Sequence, residues 1–416
     1  MVSPLFVLDV CRLGISLCVV RRHASMPAKY ILFVRGVVRC GLVSGFKGAA
    51  MTSRELWLAI MNYQQVDRVP VVHWNTWEEA HAEWIEQGMP QACERRDGEA
   101  AWLGASTICH RIMLEANHLY PVFEEELISE TADTRTVRQS DGVVAEHYKH
   151  GNSIPHIVEH TLKPDGTGWV EYKRRLRPEA GRIPKDIDER IAAAKAEAGA
   201  PVCVNTGSQV GWIRNWIGVE GLAYLCADNL ELFQEMSDTI TELVLWELDC
   251  LLPKAKEKGV VVDCGWCWED ITFRGGPLIS PEVFKRVCVP NYRRISQKLY
   301  DHGVKLHVVD SDGLIEDLAG LWLDGGVNVM FPLEIGSWQY DPMRLRKKFG
   351  REMRLYGGID KIALTKGRAA IDAEILRRVP LMKEGGYVPL PDHFIGPGTP
   401  LADYRYYLKR LGEVRF

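Results

Sequence analysis

The stretch VKLHVVDSDGLIEDLAGLWLDGGVNVMFPLE, residues 304–334, contains one full repeat of the pattern that decides the fold. An apolar, β-branched run ends at Asp310, an amphipathic segment follows, and two glycines precede a second apolar run that begins at Val327. Apolar strands that alternate with amphipathic helices are typical of a parallel sheet whose two faces are covered by helices. The stretch therefore predicts a βαβ unit.

The same rhythm extends along the chain on both sides of this stretch. Further short apolar runs occupy residues 69–73, 202–205, 260–263, 353–356 and 387–389. In the last part of the chain these runs recur at about the spacing of one βα unit. Because no glycine-rich phosphate loop follows the first run, we expect a closed (β/α)8 TIM barrel rather than a doubly wound sheet.

The rhythm fails between about residues 91 and 201. Residues 136–160 alternate between polar and apolar side chains and contain turn signals at 140–142 and 151–153. This pattern predicts an antiparallel hairpin region inserted into the barrel. Residues 169–176 are consistent with one further short strand.

Composition excludes several classes of protein. The 416 residues are 46% hydrophobic and 25% charged, with a formal net charge of −4, which excludes a disordered tail and a nucleic-acid binder that relies on bulk positive charge. No apolar run reaches the roughly 18 residues of a membrane helix. We therefore expect neither a nucleic acid nor a membrane as a partner.

Residues 1–50 differ in charge from the rest of the chain. They hold seven of the 51 Lys and Arg residues but one of the 55 Asp and Glu residues, so residues 51–416 carry a formal charge of −10. Such a head is typical of a targeting segment, or of translation from an upstream start codon, since a good helix start with Ser53 as its cap follows Met51. We favour the start-site artefact, and expect a poorly ordered head at 1–50 and a barrel domain at 51–416.

The eleven cysteines are scattered, which in a long chain without a signal peptide indicates a reducing, cytoplasmic location. The one close pair is Cys264 and Cys267. Because no second C-x-x-C occurs, we place this pair at a strand end and its loop rather than in a zinc site.

Polar side chains follow the predicted strands, at the positions where barrels carry their reacting groups. They are Asn205, Asp263, Trp268, Glu269, Asp270, Asp310, Asp312, Glu334, Asp360, Asp392 and His393. Carboxylates that converge in this way repel one another unless protons, a metal ion or a cationic ligand offset their charge. The set as a whole predicts an active site at the barrel mouth.

Two chemistries fit this set, beside a structural alternative. The first is a divalent metal site with Asp310, Asp312 and His393 as ligands. The second is general acid and base catalysis, with Arg214 or Arg274 as a counter-charge. We assign catalysis to Glu269, Asp270, Glu334 and Asp360, and substrate binding to Asn205, Trp268, Arg274 and Asp392. Any single aspartate is equally consistent with a helix N-cap.

Four strings carry a resemblance to a known superfamily. They are WEDITFRGGPLISPEVFKRVCVPNYRRI (268–295), VVDSDGLIEDLAGLWLDGGVNVMFPLEIGS (308–337), RLYGGIDKIAL (354–364) and GGYVPLPDHFIGP (385–397). With them, the chain from Met51 onward resembles the uroporphyrinogen decarboxylase superfamily, in particular its decarboxylase-like and methyltransferase-like members. The resemblance implies a (β/α)8 barrel with its active site at the mouth.

One branch of this superfamily, the true uroporphyrinogen decarboxylases, grips the carboxylates of a tetrapyrrole with arginines early in the chain. The corresponding stretch here, VVHWNTWEEAHAEW (71–84), has Glu78, Glu79 and Glu83 in place of arginine. Together with the acidic body, this difference argues against a porphyrin precursor as the substrate.

The other branch consists of cobamide-dependent methyltransferases, which bind zinc through an H-x-C-G motif and a late cysteine. The first position is occupied here by the D-x-D-G of residues 310–313, and Asp392-His393 corresponds roughly to the second. If zinc is retained, its ligands are harder than in that branch and suit a substrate oxygen better than a thiol. The departure leaves the metal itself open.

The resemblance thus implies an enzyme that passes a methyl group between a small substrate and a corrinoid. The chain has no corrinoid-binding D-x-H-x-x-G motif, so the corrinoid belongs to a partner protein. The alternatives are a decarboxylase of porphyrin biosynthesis and a non-catalytic ligand-binding barrel. The oligomeric state is open, with a homodimer among the options.

Overall fold

The computed structural model describes residues 6–10, 15–20, 29–34, 37–42, 51–114, 118–150, 155–196, 199–336 and 338–416 of the chain. Contacts divide the chain into two units, Met1–Met51 and Thr52–Phe416. Each unit is described by itself.

The described part of the first unit is an antiparallel sheet. Its strands are β1 (Phe6–Val10), β2 (Ile15–Val20), β3 (Lys29–Val34) and β4 (Val37–Leu42), and they pair in sequence order. That residues 1–50 are a start-site artefact or a targeting segment stays a prediction.

The second unit has thirteen strands in its described residues. They are β5 (His110–Ile112), β6 (Glu126–Glu130), β7 (Thr134–Arg138), β8 (Val144–Tyr148), β9 (His156–Glu159), β10 (Val202–Asn205), β11 (Cys264–Trp268), β12 (Thr272–Phe273), β13 (Gly276–Pro277), β14 (Leu306–Asp310), β15 (Val329–Phe331), β16 (Arg354–Tyr356) and β17 (Tyr387–Val388).

Seven of these strands form a parallel sheet with the order β17-β16-β15-β14-β11-β10-β5, and the sheet curls into a partial barrel. Strands such as β15 are buried along their whole length, as a sheet covered on both faces requires. The expected α/β fold with a parallel sheet is confirmed.

The segment 71–77 hydrogen-bonds near both ends of this sheet. The backbone N–H of His73 donates to the carbonyl of Ser106, shortly before β5. The N–H of Trp77 donates to the carbonyl of Ile395, shortly after β17. The first apolar run of the body therefore lies against elements from both extremes of the parallel sheet.

The inserted region contains an antiparallel sheet with the order β6-β7-β8-β9. It spans the stretch in which the sequence predicts hairpins, and begins about ten residues earlier than expected. Its outer strands are exposed along their whole length.

Twelve helices are described in the second unit. They are α1 (Ser53–Met61), α2 (Glu78–Glu86), α3 (Asp97–Leu103), α4 (Trp169–Arg175), α5 (Ile187–Ala196), α6 (Gly211–Asp228), α7 (Leu230–Glu257), α8 (Pro281–Asp301), α9 (Glu316–Asp324), α10 (Met343–Phe349), α11 (Arg368–Glu384) and α12 (Leu401–Glu413). Short 3-10 helices occupy Ala180–Arg182 and Lys361–Thr365.

Helix starts follow the local capping rules. Helix α1 begins one residue earlier than expected, because Thr52 rather than Ser53 is its N-cap and forms a reciprocal capping box with Glu55. Helix α8 begins with Ser280 as N-cap and Pro281 in its first turn, where a missing N–H costs nothing.

Three sequence predictions about strands are wrong. The run 69–73 forms only an isolated bridge, between Val72 and Ser106. The run 260–263 is not a strand, since β11 begins at Cys264 and Val261 in the run is 67% exposed. Both cysteines of the C-x-x-C pair consequently lie inside a buried strand. Residues 169–175 form a helix, α4, whose buried Trp169 and Tyr172 are three residues apart, as one helix face requires.

Among the described residues, no helix is both long enough and apolar enough to span a lipid bilayer.

Candidate active site

A cavity of about 750 Å³ contains much of the polar set that the sequence singles out. Of the eleven predicted site residues, five line it, namely Trp268, Asp270, Asp310, Asp312 and His393. These five follow or end the strands β11, β14 and β17, so their convergence comes from parallel strands ending at one edge.

Three aspartates form one side of the cavity. The register of β11 on β14 pairs Trp268 with Asp310, and Asp270 and Asp312 each follow two residues later. The backbone N–H of Asp312 donates to Oδ1 of Asp270 at 3.1 Å. Asp270 adopts a φ of 48°, an uncommon value for a residue other than glycine, which turns it away from the direction of the strand.

The aspartates change one another's acidity. Burial, followed by the charge of Asp312, raises the pKa of Asp270 from 3.8 to about 6. Burial and the charges of Asp270 and Asp312 also raise the pKa of Asp310 well above its usual value, although Arg111 opposes this rise. Near neutral pH the cluster therefore retains protons that isolated aspartates would lose.

His393, which follows β17, is in direct contact with one of the three aspartates. Its Nε2 lies 3.1 Å from Oδ2 of Asp312, and its ring lies nearly parallel to that of Trp77, with the ring centroids 5.7 Å apart. Trp74, whose ring centroid is also 5.7 Å from that of His393, continues this aromatic wall.

The predicted metal ligands do not form a preorganised metal site. Among the described residues, no three His, Cys, Asp or Glu side chains converge as an ion would require. Nε2 of His393 is directed at Asp312 itself, and Oδ2 of Asp310 lies 3.4 Å from the indole Nε1 of Trp266. The donor set as arranged does not converge on one point as a zinc site requires. That zinc binds here stays a prediction.

Glu269 does not line the cavity, although its neighbours in the chain, Trp268 and Asp270, do. Its carboxylate is fully buried and accepts hydrogen bonds from a single group of donors. These are the Ser208 hydroxyl, the backbone N–H groups of Gln209, Val210 and Gly211, and the Tyr292 hydroxyl. The carboxylate therefore satisfies the free N–H groups at the start of α6.

Two further predicted residues hold loops together outside the cavity lining. Asp360 caps the 3-10 helix Lys361–Thr365 by accepting from the N–H of Ile362 at 2.9 Å. Asp392 is buried and accepts from the backbone N–H groups of Ile335 and Lys361. For Asp360 the structure thus shows the N-cap contact that the sequence left as an alternative.

The remaining three predicted residues also lie outside the cavity lining. Glu334 accepts from the backbone N–H of Gly313 at 2.8 Å. Asn205, at the end of β10, accepts weakly from the N–H of Gly207 at 3.4 Å. Arg274 lies on the exposed turn between β12 and β13.

Sequence reasoning missed the cations of the cavity. Arg96 before α3, Arg111 on β5 and Arg190 on α5 all line it. All three lie outside residues 71–84. The cavity therefore carries positive charge although residues 71–84 contain no arginine. The one available signal was the position of Arg111 inside a short strand.

A buried network fixes the elements that carry the aromatic wall. The carboxylate of Glu99 on α3 lies 2.9 Å from Nε2 of His73 and 2.7 Å from Nδ1 of His81, and it accepts a hydrogen bond from Thr76. Nδ1 of His73 lies 2.7 Å from the hydroxyl of Tyr404 on α12. The network therefore ties the segment 71–77 to three helices.

Comparison with known proteins gives consistent results. The family model described as uroporphyrinogen decarboxylase (URO-D) matches residues 190–413, which is more than half of the chain. A uroporphyrinogen decarboxylase from Crocosphaera subtropica (strain ATCC 51142 / BH68) is 23% identical over 206 residues, 48% of this chain and 52% of that relative. The match thus spans about half the length of the relative.

A solved methyltransferase from Methanosarcina mazei superimposes with a TM-score of 0.55 and 14% identity, covering 87% of this chain and 98% of that one. At this identity the likeness concerns the fold alone. The family model, by its extent, decides membership: the chain belongs to the uroporphyrinogen decarboxylase (URO-D) family.

Proposed function

We infer that this chain is a methyltransferase-like enzyme that passes a methyl group between a small substrate and a corrinoid on a separate protein. The observation that carries this proposal is the cavity in which Asp270, Asp310 and Asp312 face an aromatic wall. The bound corrinoid would supply the metal centre that exchanges the methyl group.

The hydrogen bonds of segment 71–77 support the further proposal that the sheet closes into a (β/α)8 barrel.

Asp270 is the residue proposed to act on the atom that carries the methyl group. With a pKa of about 6, both of its protonation states are accessible near neutral pH. The protonated carboxyl donates a hydrogen bond to a substrate oxygen and gives its proton to the oxygen as the carbon–oxygen bond breaks. The ionised carboxylate instead attracts a methylated nitrogen.

Asp312 and His393 are proposed to position the substrate beside Asp270. Their side chains are joined at 3.1 Å, which holds the ring and the carboxylate in fixed orientations. Trp77, Trp74 and Trp268 cover the adjacent walls, so that water is displaced from the reacting atoms when a substrate binds.

The test uses the full chain with reduced free cobalamin and a panel of methyl ethers and methylamines. We expect formation of methylcobalamin, followed by absorbance, with one class of donor. Asp270→Asn should lower the rate with ether donors by a factor of about 100 or more, whereas Asp249→Asn, on the exposed surface of α7, should not. Failure of every donor would contradict the proposal.

The zinc prediction has a separate test. Metal content of the purified wild type is compared with that of Asp312→Ala. Stoichiometric zinc in the wild type that is lost in the variant would support Asp312 as a ligand. Equal zinc contents, or none, would remove these residues as the zinc site.

Decarboxylation of a porphyrin precursor is the second candidate. The observation that favours it is the set of three arginines in the cavity, because guanidinium groups bind carboxylates in pairs of hydrogen bonds. A raised pKa on Asp270 also suits a proton donor to a carbanion. Formation of coproporphyrinogen from uroporphyrinogen would establish this activity, and its absence at high enzyme concentration would dismiss it.

A further inference from the structure

The charged side chains of the cavity fall into two groups on different elements. Asp270, Asp310 and Asp312 come from the ends of β11 and β14. Arg111 comes from β5, which lies on the far side of β10 in the sheet order, and Arg190 comes from α5, which packs against β5. Arg96 and Asp97, which are neighbours at the start of α3, add one charge of each sign and leave this division unchanged.

The acidic group has the features of a site for a methylated cation. Oδ1 of Asp312 is buried and has no hydrogen-bond partner among the described residues. The rings of Trp268, Trp74 and Trp77 line the same cavity. Aromatic faces beside carboxylates attract cationic nitrogen, and they do so best when methyl groups replace its N–H bonds, since such a cation needs no hydrogen-bond acceptors.

The basic group can hold an anion. Arg190 donates to Asp186 at 3.0 Å and to the carbonyl of Leu114 at 3.2 Å through two of its nitrogens. These bonds orient the guanidinium and leave its third nitrogen to donate to a ligand. The Arg111 side chain extends over the ring of Trp266 at 5.5 Å and is accessible from the cavity. A carboxylate of the substrate would meet a planar fork of donors here.

We propose that the substrate is a small zwitterion, with a methylated ammonium group beside Asp270 and Asp312 and a carboxylate beside Arg190 and Arg111. The proposal rests on the proposed function, since it names the substrate class of the same cavity. A bare cation would offer no acceptor to the N–H groups of Arg190 and Arg111, and a polyanion would place negative charge beside Asp270 and Asp312. A zwitterion matches both groups at once.

The test compares three probes that differ in one charge each. Trimethylglycine carries both charges, choline replaces the carboxylate by a hydroxymethyl group, and 3,3-dimethylbutanoate replaces the nitrogen by an uncharged carbon of the same shape. Binding to the full chain is measured by calorimetry and tryptophan fluorescence. We expect trimethylglycine to bind at least about tenfold more tightly than either of the other probes.

Variants assign each preference to its side of the cavity. Asp270→Asn should abolish the preference for trimethylglycine over 3,3-dimethylbutanoate, and Arg190→Gln the preference over choline. Asp249→Asn and Arg174→Gln are matched controls, because both residues form exposed ion pairs outside the cavity lining. The comparison of probes on the wild type needs no variant, so it decides the question even if a variant fails to fold.

Equal binding of trimethylglycine and 3,3-dimethylbutanoate, or no binding of any probe, would overturn the proposal. In that case methyl transfer to cobalamin from other donors would still support the proposed function. Conversely, the expected selectivity without any methylated cobalamin would retain the ligand class and refute the proposed reaction.

Discussion

Replacing Glu99 by glutamine should destabilise the second unit in a way that depends on pH. Burial alone would raise the pKa of Glu99, but the hydrogen bond and charge of His73, with hydrogen bonds from His81 and Thr76, lower it from 4.5 to about 2. At about 1.4 kcal/mol per pH unit, this lowering corresponds to about 3 kcal/mol of folding free energy at pH 7.

The sign of the pH dependence follows from the direction of this change. Because the pKa of Glu99 is lower in the folded state than in the unfolded state, its stabilisation is complete above about pH 4.5 and is lost as the pH falls through about 2. The free energies of unfolding of the wild type and Glu99→Gln should therefore converge over this range, since the glutamine does not titrate.

Urea unfolding at pH 7, 5, 4 and 3, followed by tryptophan fluorescence, measures this convergence. Glu78→Gln is the matched control, because Glu78 pairs with Arg95 at 3.1 Å on an exposed surface and should contribute less than about 1 kcal/mol. A difference between the wild type and Glu99→Gln that stays constant with pH, or that equals the control, would refute the reasoning.

Three further substitutions test other features by thermal or urea unfolding. Glu269→Gln should lower stability by about 3 kcal/mol, because an amide N–H2 would face a ring of hydrogen-bond donors; an unchanged melting temperature would contradict this. Asp263→Asn should cost about 3 kcal/mol, because it breaks the two-point ion pair with Arg54; Arg54→Lys in the wild type keeps the opposite charge and should cost less, and equal losses would contradict this. Gly357→Ala should destabilise by at least about 3 kcal/mol, because its φ is 120° and a Cβ would lie 1.7 Å from the carbonyl oxygen of Pro332; a well-folded variant would refute that geometry.

The rhythm of apolar runs predicts the parallel sheet because it depends on local sequence. The D-x-D-G of residues 310–313 was placed correctly at a strand end for the same reason. The prediction of a strand at residues 260–263 was wrong, because a β-branched run outside a sheet has the same sequence pattern as one inside it. Burial on both faces, which distinguishes β11, is a tertiary property.

The site was harder to predict than the sheet. Glu269 and Asp270 are adjacent in sequence, yet the first points toward the start of α6 and the second into the cavity. Both residues follow the end of β11, where the positive φ of Asp270 turns the chain, and the sequence does not indicate which side chain faces the mouth. Arg96 and Arg190 reach the cavity from helical regions far apart in the chain, so no spacing rule could have identified them.

The contacts of segment 71–77 have a consequence for the order of folding. Besides nearby partners such as Ser106 and Glu99, it has two partners more than 300 residues later, where Ile395 accepts from Trp77 and Tyr404 contacts His73. Contacts of such high sequence separation form slowly, and a ribosome releases the early residues long before the late ones. His393 is in that late stretch. The cavity is thus complete only when the first and last parts of the second unit are in contact. A chain truncated before residue 391 would lose the partners of Trp77 and His73 and, with them, the cavity residue His393.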